Sequence, residues 1–237
     1  MNQTYLLDLK NIYFSYPDES EIIILRDFSL KIKKGEIISI LGANGCGKTT
    51  LLNIISGFLK PDKGNIIWSE KNKKSLLTSL VFQQANLLEW KTGYQNIELS
   101  LISHISDKKK RKKIVNNMLN LLEIYPHKNK LPRQMSGGIK QRTTVARALA
   151  PKPQILLLDE PFSAVDIASK EKLMKDIKKV IKKQEQSTIL VTHNLDEALL
   201  FADKILIMNS KKRNIKEIDN IRQISKKEII RILNMKK

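Results

Sequence analysis

The chain has 237 residues, 41% apolar and 28% charged. That is a globular composition, sufficient for one large domain or a core with an inserted lobe. It excludes a disordered or fibrous chain and leaves no room for two large cores in tandem. Lys and Arg number 43 against 24 Asp and Glu, a net charge of +19. Such an excess suits a polyanionic partner such as nucleotide, nucleic acid or membrane surface, although a composition rich in Lys, Ile and Asn throughout accounts for much of it without one.

Residues 4–41 read as strands. YLLDLKNIYFSY alternates and is rich in aromatics, and EIIILRDFSLKI follows a polar turn at Pro17–Ser20. After a turn at Lys33–Gly35, IISIL reads as a buried strand. TTLLNIIS (Thr49–Ser56) reads as a helix, with Gly57 as its stop and Pro61 beyond it. NIIW and SLVF read as short strands. From 94 to 150 the pattern is helical, broken by a loop from Pro126 to Pro132. This stretch holds the basic run DKKKRKK at 107–113 and an apolar stripe of Met118, Leu121, Leu122 and Tyr125. Residues 86–150 therefore read as an inserted helical lobe. Beyond them come strand ILLLD (155–159), helix 169–184, strand STILVT (187–192), helix LDEALLFA (195–202) and strand KILIM (204–208). Such alternation predicts a parallel sheet covered on both faces. The basic tail 211–237 is expected to carry a helix near 225–235. The start of the chain lacks a basic stretch followed by an apolar run, so no signal peptide is expected. No apolar run approaches the roughly 20 residues of a membrane span.

Five of the nine glycines sit in two clusters. The first is Gly42-Ala43-Asn44-Gly45-Cys46-Gly47-Lys48-Thr49, a G-x-x-x-x-G-K-(S/T) loop between a predicted strand and a predicted helix. Glycines let backbone N–H groups turn inward around phosphate oxygens, and the helix N-terminus adds its positive dipole end. Lys48 supplies a mobile charge to the β- and γ-phosphates; the Thr49 hydroxyl, followed by Thr50, can ligate Mg²⁺. Cys46 is the one cysteine, so no internal disulfide exists, and it reads as a small residue that fits rather than a redox centre. The strand ILLLD ends in Asp159 and Glu160. A ligand binds beyond the C-terminal ends of such strands, where Asp159 can hold Mg²⁺ through water and Glu160 can polarise an attacking water. The second cluster, Met135-Ser136-Gly137-Gly138-Ile139-Lys140-Gln141-Arg142, places a capping serine and two glycines at a helix start.

This last segment closely resembles the L-S-G-G-x-x-Q-R signature of ATP-binding cassette (ABC) ATPases, and in order with the other two motifs it extends the resemblance along the whole chain. The resemblance implies a P-loop NTPase core, made of a mainly parallel sheet with an N-terminal antiparallel β-subdomain (1–85 and 151–237), and a helical lobe (86–150) bearing the signature. It implies that Ser136, Gly137, Gly138 and Gln141 reach ATP bound on a second copy, so that the active unit is a dimer. Tyr16 would stack on adenine, with Tyr13 the competing candidate. Gln83 would touch Mg²⁺ or water and sense the nucleotide, with Gln84 beside it leaving that assignment open. Ser163-Ala164-Val165-Asp166 resembles the dimer-interface loop, and His193 the switch histidine that contacts the γ-phosphate. His104 and His127 are expected on the surface. Met135 and Val165 replace leucines of the family pattern, and Thr49-Thr50 replaces the commoner Ser-Thr; none of these removes a functional group.

Leu87-Leu88-Glu89-Trp90 resembles the L-L-P-W of nitrate, sulfonate and taurine importer ATPases, with Glu89 in place of Pro, and Thr192–Ala198 resembles their T-H-D-x-x-E-A. The resemblance implies an importer subunit for a small anion or organic solute. It would lie at the cytoplasmic face of the membrane and energise separate transmembrane permease subunits, with a solute-binding protein indirectly coupled. Leu87, Leu88 and Trp90 would line the groove for the permease. Export or lipoprotein release is the alternative transport task. Action on nucleic acid would be expected with long coiled-coil insertions or two cassettes, which this chain lacks.

Overall fold

The computed structural model describes residues 5–19, 22–69, 76–208 and 215–218. The chain forms two compact units, 1–73 with 185–237, and 74–184.

In the first unit, β1 (Tyr5–Ser15) pairs antiparallel with both β2 (Ile23–Lys33) and β4 (Lys63–Trp68), giving a three-stranded sheet. Alternation places Leu7, Leu9, Ile12, Phe14, Leu25, Phe28, Leu30 and Ile32 in the core. The β1–β2 register slips between Leu9 and Ile12. There Asn11 and Asp27 both adopt φ of 50°, and the Asn11 side chain donates to Asp27 at 2.7 Å. Gly64 (φ 97°) is required opposite this bulge, because a Cβ would lie 2.4 Å from the Asn11 carbonyl. The second sheet of this unit has β3 (Ile37–Leu41) parallel to β7 (Ser187–Thr192) on one side and to β8 (Lys204–Met208) on the other. β3 and β7 are buried at every position, as continuous aliphatic runs demand. Helices α1 (Lys48–Ser56) and α6 (Leu195–Phe201) belong to this unit; Ala198 of α6 packs with Leu41, Ile205 and Ile207. The sequence pattern missed β9 (Ile215–Ile218), which extends the sheet antiparallel to β8. The helix expected near 225–235 lies outside the described residues.

In the second unit, β5 (Thr78–Val81) and β6 (Ile155–Asp159) pair in parallel. Four helices accompany them: α2 (Gly93–Ile102), α3 (Lys108–Leu121), α4 (Gly137–Leu149) and α5 (Ile167–Lys183). Thr92 and Gln95 form a reciprocal capping box on α2. Two 3-10 turns, Tyr125–His127 and Pro132–Gln134, separate α3 from α4. The buried face of α3 is Arg111, Val115, Met118 and Leu119. The expected stripe is thus corrected: Met118 and Leu122 are inside, but Leu121 is only half-buried and Tyr125 is exposed. The α/β expectation holds, with an antiparallel sheet, parallel strands in each unit, and helices in both units.

Candidate nucleotide site

The phosphate loop follows β3 and opens α1. Gly45 (φ 75°) and Gly47 (φ 102°) occupy the left-handed region that favours glycine. Crowding restricts the loop further: a Cβ on Gly42 would lie 2.7 Å from Cys46 Sγ and 2.8 Å from the Met208 carbonyl, and one on Gly47 would lie 2.9 Å from Ile24. Gly47 at the N-cap brings no side chain to cap α1, a helix start of the kind that anion sites use. Lys48 is buried, and its Nζ donates to the Gly42 and Ala43 carbonyls at 3.0 Å each. Ala43, Asn44, Gly45 and Thr49 are exposed at the rim. Cys46 is buried, and burial pushes its thiol above the ordinary value, against the opposing pull of Lys48. A buried, neutral thiol packed on Gly42 agrees with a space-filling role.

Tyr16 donates to or accepts from Thr50 Oγ1 on the first turn of α1 at 3.0 Å, and its ring meets Phe14 edge-on. The structure thus brings Tyr16 to the loop, whereas Tyr13 sits in β1 opposite Lys63. His193 lies just past β7, exposed. Its turn is tied to the loop, because the Gly42 N–H donates to the Thr192 carbonyl at 3.4 Å. Thr192 Oγ1 donates to the buried carboxylate of Glu197 at 2.7 Å and accepts from Asn194 N–H at 3.0 Å. Asn194 caps α6. Glu197 was visible as part of a motif but not as the group that holds the histidine turn.

In the second unit, Asp159 ends β6, buried, and Glu160 follows, half-buried with φ 44°. A left-handed glutamate is costly, and such strain gathers at functional sites. Gln83 and Gln84 are both exposed. Ser136 caps α4, its Oγ accepting from Ile139 N–H at 3.4 Å. Gly137 would carry a Cβ at ordinary contact with the Ala164 carbonyl (3.5 Å), and Gly138 at open surface. Gln141 does not share this exposed face: it is buried, with its Nε2 unpartnered among the described residues. Asp166 is exposed and caps α5 through Ser169 N–H at 2.9 Å. Ile167 beside it is 91% exposed, an apolar residue the motif reading passed over. His104 is exposed and His127 half-buried.

The stretch after Gln83 is clamped to α4 and α2 by residues that no motif indicated. Thr144 and Arg147 of α4 donate to the Ala85 and Asn86 carbonyls; burial lowers the Arg147 pKa. Asn96, fully buried, accepts from Leu88 N–H and donates to the carbonyls of Leu88, Lys91 and Thr92. Arg142 joins α4 to Asp176 of α5 and to the Leu122 carbonyl. The clamped turn presents Trp90 at 74% exposure, while Leu87 is buried and Leu88 half-buried. Of the three residues expected to line a groove, Leu87 packs inward, which leaves Trp90 and part of Leu88 at the surface. Among the described residues no group of three or more His, Cys, Asp or Glu could hold a metal ion. No helix of the described residues is long and apolar enough to cross a membrane.

The ABC transporter family profile matches residues 25–163. The nitrate import ATP-binding protein NrtC of Synechococcus elongatus is 37% identical over 201 residues, covering 83% of this chain. This chain spans only 30% of the length of that relative. The taurine import ATP-binding protein TauB of Pelagibacter ubique is 37% identical over 200 residues, covering 84% of this chain and 76% of TauB. Among solved structures, the dimeric ATP-binding cassette MJ0796 in a post-hydrolysis state with ADP and Pi matches with a TM-score of 0.75 at 33% identity, covering 90% of this chain and 98% of that one.

Proposed function

The chain belongs to the ABC transporter family, and from that premise we propose that it is the ATP-binding and hydrolysing subunit of an importer. The observation that carries this reading is the phosphate loop, where left-handed glycines and a helix start with glycine at its cap adjoin a buried lysine. That constellation is built to receive a polyphosphate. In this reading 1–237 is one ATP-binding domain, with 1–85 and 151–237 its catalytic core and 86–150 its helical lobe. Gly42–Thr50 bind the phosphates and Tyr16 the adenine. Mg²⁺, when bound, would neutralise phosphate charge, held by Thr49, Gln83 and Asp159. Glu160 orients and polarises the attacking water, and His193, steadied through Thr192 and Glu197, meets the γ-phosphate.

Two copies act together. Ser136, Gly137 and Gly138 of each present a helix start to the nucleotide of the other, and Asp166 with Ile167 lies at the dimer contact. ATP closes the pair and hydrolysis reopens it. Trp90 docks on a membrane permease at the cytoplasmic face, which supports a peripheral subunit. The named activities of NrtC and TauB, nitrate and taurine import, favour a small anionic or organic solute, chosen by the permease and its binding protein.

Glu160→Gln tests the reading. The variant is expected to bind ATP with unchanged affinity, lose about 10²–10⁴-fold in turnover, and accumulate as a dimer in sizing columns with ATP. Undiminished phosphate release would refute the role of Glu160.

A further inference from the structure

The outer face of the α2–α3 hairpin carries a surface that the nucleotide chemistry does not use. α2 buries Asn96, Ile97 and Leu101 and turns Gln95, Leu99 and Ile102 outward. Leu99 is 40% and Ile102 55% exposed. α3 then opens with Lys108, Lys109, Lys110, Lys112 and Lys113, all exposed, around a buried Arg111.

The acids adjacent to this run are already engaged. Glu98 Oε1 accepts from Arg111 Nε at 3.2 Å, and Asp107 Oδ1 caps α3 by accepting from the N–H groups of Lys109 and Lys110. Arg111 also donates to the Ile105 and Ser106 carbonyls at 2.8 and 2.9 Å. This one arginine therefore pins the start of α3 to the end of α2, next to Leu99. No ion pair of the five lysines is seen among the described residues. Five exposed lysines, none ion-paired among the described residues, thus follow two exposed aliphatics along one helical hairpin that the Arg111–Glu98 bond ties together.

We propose that this hairpin face binds the surface of an anionic phospholipid membrane. Lysines meet headgroup phosphates, and Leu99 and Ile102 enter the boundary between headgroups and acyl chains. The aliphatic stripe is what favours lipid over nucleic acid, which would be gripped by basic side chains with stacking aromatics. The contact is independent of the permease and of ATP.

The test is sedimentation of the purified full chain, without permease or nucleotide, with vesicles of phosphatidylcholine alone or with about a third phosphatidylglycerol. Anionic vesicles are expected to bind at least about tenfold more strongly than neutral ones near 0.1 M salt, with the excess vanishing near 1 M. The variant K108Q/K109Q/K110Q/K112Q/K113Q is expected to lose that excess. The charge-matched variant K172Q/K175Q/K179Q/K182Q/K183Q, whose lysines are exposed on α5, is expected to keep most of it. L99S/I102S is expected to weaken anionic-vesicle binding several-fold at fixed salt. Equal loss in the two lysine variants would reduce the effect to net charge and overturn the proposal. So would an unchanged L99S/I102S, or complete transfer of the chain from vesicles to single-stranded RNA of equal charge. Circular dichroism of each variant confirms that a loss is not unfolding.

Discussion

The two glycine-rich turns look alike in sequence and are opposite in structure. In the phosphate loop, glycine serves the chain itself. Gly45 and Gly47 need left-handed backbone, and Gly42 and Gly47 leave no room for a Cβ. At the signature turn, no comparable crowding or backbone demand is seen among the described residues. Neither Gly137 nor Gly138 has positive φ, the cap is already provided by Ser136, and a Cβ on Gly138 would meet open surface. The first turn is therefore an internal fit, and the second leaves open surface, which the proposed dimer would use for a close approach.

Alanine substitution should break the comparison in opposite ways. Gly47→Ala carries the largest expected effect. It forces φ 102° on an L-residue and sets its methyl 2.9 Å from Ile24 and 3.1 Å from the flexible end of Met208. A loss of about 1–3 kcal/mol in denaturant unfolding, with ATP binding abolished, is expected. A variant of wild-type stability would show that the loop tolerates a side chain.

Gly138→Ala should do the reverse. The position is helical and open, so stability is expected to hold or rise slightly, by less than about 1 kcal/mol. ATP binding by the isolated subunit should be unchanged, while ATP-dependent dimerisation and turnover fall by about tenfold or more from a methyl placed against a phosphate. Equal hydrolysis in the variant would remove the partner from this face.

What the sequence disclosed and what it hid divide along range. β6, β7 and β8 were legible with the boundaries observed, because continuous aliphatic runs bounded by polar residues have one sensible place, inside a parallel sheet. The helix α3 was legible as a helix but not in phase. Apolar residues at 114, 115, 118, 119, 121 and 122 allow two adjacent stripes, and packing selected Val115, Met118 and Leu119. β9 was hidden because Ile215-Lys216-Glu217-Ile218 has no apolar run and is a strand by pairing with β8. The chemical groups of the candidate site were legible as motifs, since phosphate and metal chemistry imposes local spacing. Their holders were not. Thr144 reaches Ala85 across 59 residues and Arg142 reaches Asp176 across 34, and a bond between a side chain and a distant partner leaves no local pattern. Leu87 failed for a related reason: one apolar residue of the tetrapeptide is buried in the core.

The smallest expected effect lies at Cys46, and it sharpens the contrast from within the first turn. If the loop is an internal fit, its thiol is packing, not a reagent. Burial raises the folded thiol pKa above its unfolded value, with Lys48 opposing. The folded chain then holds a proton that the unfolded chain has released. The stabilisation is fully present below the unfolded thiol pKa and is lost as pH rises through the folded one. Wild type should therefore lose more stability than Cys46→Ala on the alkaline side, the difference in denaturant midpoints growing only above the ordinary thiol range. Iodoacetamide should alkylate the native thiol much more slowly than the unfolded one at neutral pH, with the rate still climbing at pH values where a free thiol has levelled off. A native thiol that reacts as fast as the unfolded one would mean that the loop opens readily, and its glycines would then be describing flexibility and not fit.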